Sequence, residues 1–186
     1  MKLILASGSP RRKELLATLN MPFEVIVSDF DEKIDTRKPL VEEIKRLSYG
    51  KACSVFENNK DVIVIGADTI VTIENKVLGK PKDKEDAKRM LKELSNNVHT
   101  VITGVTIISS EKCETFASSN KVYFDDLSNE EIEEYIATLE PMDKAGAYAI
   151  QGLGSKFIKK IEGDYYAIVG LPINQIYKKL RAYQRP

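Results

Sequence analysis

Residues 2–19, KLILASGSPRRKELLATL, set the class of fold. Lys2 to Ala6 reads as a short apolar strand, and a helix is expected from Pro10 to about Leu19. Ser9 stands where an N-cap belongs, and Pro10 takes the first helical position, where a missing N–H costs nothing. Strand, small-residue turn and helix in immediate succession announce an α/β chain. The first turn of that helix breaks a rule. Its backbone is electropositive and favours Asp or Glu, yet it carries Arg11, Arg12 and Lys13.

The alternation continues along the chain. Phe23 to Val27 is a second strand, 29–38 a charged loop, and a helix runs from about Leu40 to Phe56. Asp61 to Ile65 is an apolar, β-branched run of the kind found in buried strands. It enters Gly66-Ala67-Asp68-Thr69, after which another strand and a turn at 74–76 are expected. Asp83 caps a helix whose Ala87, Met90, Leu91 and Leu94 recur at helical spacing. Val98 to Ser109 and Thr115 to Phe124 read as long strands, and Ser128 with Glu131 as a capping box. The glycine-dotted AGAYAIQGLG precedes expected strands near Phe157–Ile161 and Tyr165–Val169, and Pro172 opens a C-terminal helix. The expectation is one α/β domain over 1–186: a mixed twisted sheet, flanking helices and a smaller lobe from the middle hairpins.

Composition narrows the function. Lys plus Arg and Asp plus Glu both number 28, so the formal net charge is zero, which argues against a general attraction to nucleic acid or to an anionic membrane. Cys53 and Cys113 lack CxxC spacing and the chain has one histidine, so a Cys/His zinc site is not expected. The apolar run at the N-terminus is too short for a signal peptide or a membrane span. Two reduced thiols suit a cytoplasmic protein.

Five features stand out against these surroundings. Arg11 and Arg12, beside the small Ser7, Gly8 and Ser9 at a helix start, read either as solvated arginines or as a phosphate site. Lys51 falls inside the arc of Ile44, Leu47 and Val55 on its helix, so it either snorkels to water or points at a negative group. Asp68 follows the buried VIVIG run, where a carboxylate forms a turn, or holds Mg²⁺, or activates water at the end of a sheet strand. Lys80, in Gly79-Lys80-Pro81, is again a cation just ahead of a helix start, and Asp31 and Glu32 are adjacent acids in a loop. Neither GxxxxGK[ST] nor GxGxxG occurs, and the lone His99 reads as structural. Cations, carboxylates and small residues together suit a metal-bound polyphosphate better than acyl transfer or redox chemistry.

The segments ASGSPRRKELL, GADTIV, LGKP, HTVITGV and EPMDKAGAYAIQGLGSKFIKKIEGDYYAIVGLPI run in order from residue 4 to 173. They resemble the Maf family of nucleoside triphosphate pyrophosphatases. The resemblance implies a fold similar to the inosine triphosphate pyrophosphatases, usually homodimeric. It implies cleavage of a nucleoside triphosphate to monophosphate and pyrophosphate with a divalent metal cation, Mg²⁺ or Mn²⁺. The family's presumed proton acceptor falls on Asp68, and its phosphate-contacting cations on Arg11, Arg12, Lys51 and Lys80. Arg12, Thr69 and Gln151 match the type that prefers dTTP and UTP. Two positions depart from the family pattern: Ala149, where Gly is commoner, and Asp31, where Glu is usual.

The mechanism this implies has the triphosphate held by those four cations with Ser7 and the helix-start N–H groups. A metal is held by Asp68 with Asp31 or Glu32, and Asp68 activates a water toward the α-phosphorus. Thr69 and Gln151 would read the pyrimidine edge, because an amide both donates and accepts. Two alternatives stand beside it. One is a pyrophosphatase acting chiefly on modified pyrimidine nucleotides. The other is a regulatory nucleotide- or partner-binding protein acting in septum formation.

Overall fold

The computed structural model describes residues 2–59 and 61–183. Seven strands form one mixed sheet in the order β2-β1-β3-β5-β6-β7, with β4 paired to β3. They are β1 (Lys2–Leu5), β2 (Phe23–Val25), β3 (Val62–Ile73), β4 (Lys76–Leu78), β5 (Val98–Ile108), β6 (Cys113–Phe124) and β7 (Ile158–Glu162). The helices are α1 (Pro10–Ala17), α2 (Leu40–Phe56), α3 (Lys84–Leu94), α4 (Asn129–Ala137), α5 (Tyr165–Val169) and α6 (Ile173–Tyr183). β1 runs parallel to both β2 and β3, whereas β4 and β7 are antiparallel to β3 and β6. Parallel neighbours connected through helices explain the apolar β1 and β3, since such strands are covered on both faces.

The chain divides into two compact units: Met1–Asp68, Thr103–Ser118 and Gly170–Pro186 form the first, Thr69–Ile102 and Ser119–Val169 the second. In the first, Ile4, Ala6, Ala52, Val55, Val62 and Val64 make a buried cluster. α2 lies almost against the backbone of the sheet. A Cβ on Gly66 would sit 2.4 Å from Ser48 O, and one on Gly104 would sit 2.5 Å from Ile44 O. Only glycine permits that approach, and Ser48 Oγ, 3.1 Å from Thr106 Oγ1, adds a polar tie at the same contact. In the second unit the core gathers α3 and α4 (Leu91, Leu94, Ile132, Tyr135) around Phe124, Tyr148 and Phe157. Asp83 and the Ser128–Glu131 capping box start α3 and α4 as expected.

Two segments differ from the sequence reading. GADT does not end a strand: β3 runs unbroken from Val62 to Ile73, because Gly66 serves the close approach of α2 and makes no turn. Tyr165–Val169 is a helix, not a strand. Asp164 Oδ1 accepts from the N–H groups of Tyr166 and Ala167, capping a short apolar run whose periodicity alone distinguishes neither state. Among the described residues no helix is long and apolar enough to cross a membrane.

Candidate active site

β3 is buried along nearly its whole length, and Asp68 and Thr69 are its two half-exposed positions. A carboxylate in the middle of a buried strand needs a partner. The glycine contact at Gly66 brings α2 in, and Lys51, one turn past Ser48, reaches the strand there. Its ammonium donates to Asp68 Oδ1 at 2.5 Å and pairs with Glu32 Oε1 at 2.8 Å. The Lys51 side chain is 7% exposed and that of Asp68 14%, against 65% for Glu32. Lys51 therefore does not snorkel; it points at negative charge.

Glu32 is delivered by the 29–38 loop. Gly50 makes this possible, since a Cβ there would lie 2.3 Å from Phe30 Cζ. The Phe30 ring thus seats on α2 one residue before Lys51. Ser28 Oγ, which accepts from Phe30 N–H, lies 2.8 Å from Ser54 Oγ and ties the same loop to α2. Asp31 turns elsewhere: its oxygens face Lys33, accepting from the Lys33 N–H at 3.3 Å.

The three cations of α1 separate. Lys13 is exposed, Arg11 half-buried and Arg12 buried. Arg12 Nε donates to Gly170 O at 2.9 Å and Nη1 to Ser7 Oγ at 3.1 Å. Burial lowers the Arg12 pKa from its ordinary value, while the negative charge of Asp68 works the other way. Ser9 caps α1 as expected, accepting from Arg12 N–H at 3.4 Å. Pro10 has no N–H to give and the Arg12 N–H is taken by Ser9 Oγ, so two of the helix-start donor positions are not open to a ligand.

The remaining candidates lie in the second unit. Thr69 follows Asp68 in β3, and Lys80 is exposed after β4. Gly79 O accepts from Gly146 N–H at 3.1 Å, joining the LGKP turn to the AGAY segment. Gln151 is exposed in a turn closed by Gly152 N–H donating to Ala149 O. His99 is structural, as expected. It is buried, lies 2.7 Å (Nε2) from Tyr148 Oη and packs edge-on against Phe124. Burial pushes its pKa down to about 4. The sequence reading did not single out Glu140, which bonds to Tyr135 and to the turn that carries Gln151. The glycines one and three residues past Gln151 were the available signal.

Among the described residues no three His, Cys, Asp or Glu side chains gather in a metal-binding group. Asp68 and Glu32 nevertheless converge on one cation, the Lys51 ammonium. That arrangement fits Mg²⁺, which is commonly held by one or two carboxylates plus substrate phosphates.

Comparison with known proteins identifies the family. The chain matches the Maf-like protein family over residues 2–183. It belongs to that family. It is 50% identical over 182 residues to a dTTP/UTP pyrophosphatase of Bacillus cereus (strain B4264), covering 98% of this chain and 95% of the relative. A dTTP/UTP pyrophosphatase of Bacillus anthracis is 51% identical and one of Bacillus thuringiensis subsp. konkukian (strain 97-27) 50% identical, with the same coverage.

Proposed function

We propose that this Maf-like protein hydrolyses pyrimidine nucleoside triphosphates, dTTP and UTP foremost, to the monophosphate and pyrophosphate. The supporting observation is the half-open Asp68 within a buried strand, paired with a buried lysine and flanked by a buried arginine. In water the Lys51–Asp68–Glu32 cluster is self-satisfied. A triphosphate brings more negative charge than two carboxylates and draws the Lys51 ammonium toward itself. Arg11, Lys80 and Ser7 complete the phosphate contacts. Arg12, fixed by Gly170 O and Ser7, presents a preorganised guanidinium that needs no reordering when charge develops.

Asp68, released from Lys51, accepts the proton of a water positioned for attack at the α-phosphorus, and pyrophosphate departs with its charge held by the cations. Thr69 and Gln151 select the base, with Arg12. Asp68 and Glu32 would hold a divalent cation such as Mg²⁺ or Mn²⁺, whose chemistry when bound is to neutralise phosphate charge. Asp31 joins that pair only if its loop rearranges away from Lys33. A homodimer acting in the cytoplasm completes the reading.

The test is pyrophosphate release from a panel of nucleotides, including 5-substituted uridine triphosphates, by purified protein with Mg²⁺. dTTP and UTP should exceed every purine triphosphate. Equal rates on purines would refute the base preference, and no pyrophosphate from any nucleotide would favour a binding role.

A further inference from the structure

The turn that carries Gln151 is held from behind by two side chains outside the proposed machinery. Tyr135 Oη accepts from Ala149 N–H at 3.2 Å, at the start of the turn. Glu140 Oε2 accepts from Leu153 N–H at 3.0 Å and Oε1 from Gly154 N–H at 3.1 Å, at its end. The two holders are joined, since Tyr135 Oη donates to Glu140 Oε1 at 2.7 Å. Between these anchors the Gly152 N–H to Ala149 O bond closes the turn and leaves Gln151 exposed at its tip.

The glycines belong to the same device. A Cβ on Gly152 would fall 2.3 Å from Glu140 Oε2, and one on Gly154 would fall 2.7 Å from Tyr135 Oη. Both glycines thus make room for the holders themselves. Tyr135 is rigid in turn: it is 1% exposed, with its ring edge-on to Phe157. Burial of the Glu140 carboxyl favours its neutral form. Hydrogen bonds from Leu153 N–H, Tyr135 OH and Gly154 N–H outweigh that and hold its pKa below the usual range, so the acceptor stays charged at neutral pH. A charged acceptor makes the stronger class of hydrogen bond.

We infer that Glu140, with Tyr135, is a positioning residue for base selection: it fixes the turn from which Gln151 reads the pyrimidine. This rests on the reading of Gln151 as the base-facing residue. An amide at position 140 cannot accept from the N–H that its own NH₂ group would face, so Glu140→Gln loses one of the two bonds that hold the end of the turn. A small misplacement of a reading group is costly.

The experiment compares kcat/KM for dTTP and dGTP in four proteins: the wild type, Glu140→Gln, Gln151→Ala and the double variant. Glu140→Gln should lower the dTTP:dGTP ratio about tenfold, mostly through KM for dTTP. In the Gln151→Ala background it should change the ratio less than about twofold, because residues acting as a unit are not additive. Tyr135→Phe, which keeps the ring in the core, should shift the ratio the same way and guards against misfolding of the first variant. An equal loss on both nucleotides would show mere destabilisation and overturn the inference. So would a collapse of the ratio in Gln151→Ala without one in Glu140→Gln. If Gln151→Ala keeps the wild-type ratio, the reading of Gln151 itself fails.

Discussion

Asp68 in the first unit and Glu140 in the second are both partly buried acids, yet their partners differ in kind. Asp68 bonds to an ammonium at the end of a lysine side chain, whereas Glu140 bonds to two backbone amides and a tyrosine hydroxyl. A side-chain cation can be drawn away by a ligand of greater negative charge. Backbone amides of a closed turn cannot leave without breaking the turn. The first acid is therefore satisfied provisionally and the second permanently. A carboxylate whose partner is exchangeable suits chemistry, and one whose partners are fixed suits architecture. Breaking either by removing one partner is expensive, since a buried polar group left unpaired loses more than the bond was worth.

The largest effect expected from this contrast is on turnover. Asp68→Asn should keep nucleotide binding but lose at least about a hundredfold in kcat, the scale of one general base. Equilibrium dialysis alongside steady-state rates checks both halves, and near-normal turnover would place Asp68 with the architectural acids. The selectivity change of Glu140→Gln is expected to be smaller and to spare dGTP, which keeps the two acids distinct.

The smallest effect is read in stability. His99 of the second unit ordinarily titrates near 6.5 and is pushed down to about 4 by burial. Below pH 6.5 the unfolded chain takes up a proton that the folded chain refuses. Its contribution is complete above that pH and declines toward pH 4, by up to about 1.4 kcal/mol per pH unit. Urea midpoints at pH 7 and 4.5 should therefore diverge more in the wild type than in His99→Gln, whose amide can still pair with Tyr148 Oη. Equal divergence would mean that acid instability comes from the carboxylates instead.

How much of this was legible in the sequence follows from the same contrast. Arg11, Arg12 and Lys51 stood out because a charge at the wrong end of a helix or in an apolar arc contradicts its local pattern, and Asp68 because it follows a buried apolar run. Patterns are local, so one chain suffices to see the contradiction. Gly66, Gly104 and Gly50 carry no such mark: which backbone or ring comes close to each depends on elements distant in sequence. The strand reading of Tyr165–Val169 failed because a five-residue apolar run has no period of its own, and the Asp164 cap decided it. Glu140 was hidden for another reason. An exposed-looking acid before a proline is ordinary, and only the fold turns the amides of Leu153 and Gly154 toward it.

The central claim is that water attacks the α-phosphorus with the help of Asp68. Its most direct test is hydrolysis of dTTP in ¹⁸O-labelled water with mass analysis of both products. Label is expected in dTMP and none in pyrophosphate. Label in pyrophosphate, or release of a single phosphate in place of pyrophosphate, would contradict it.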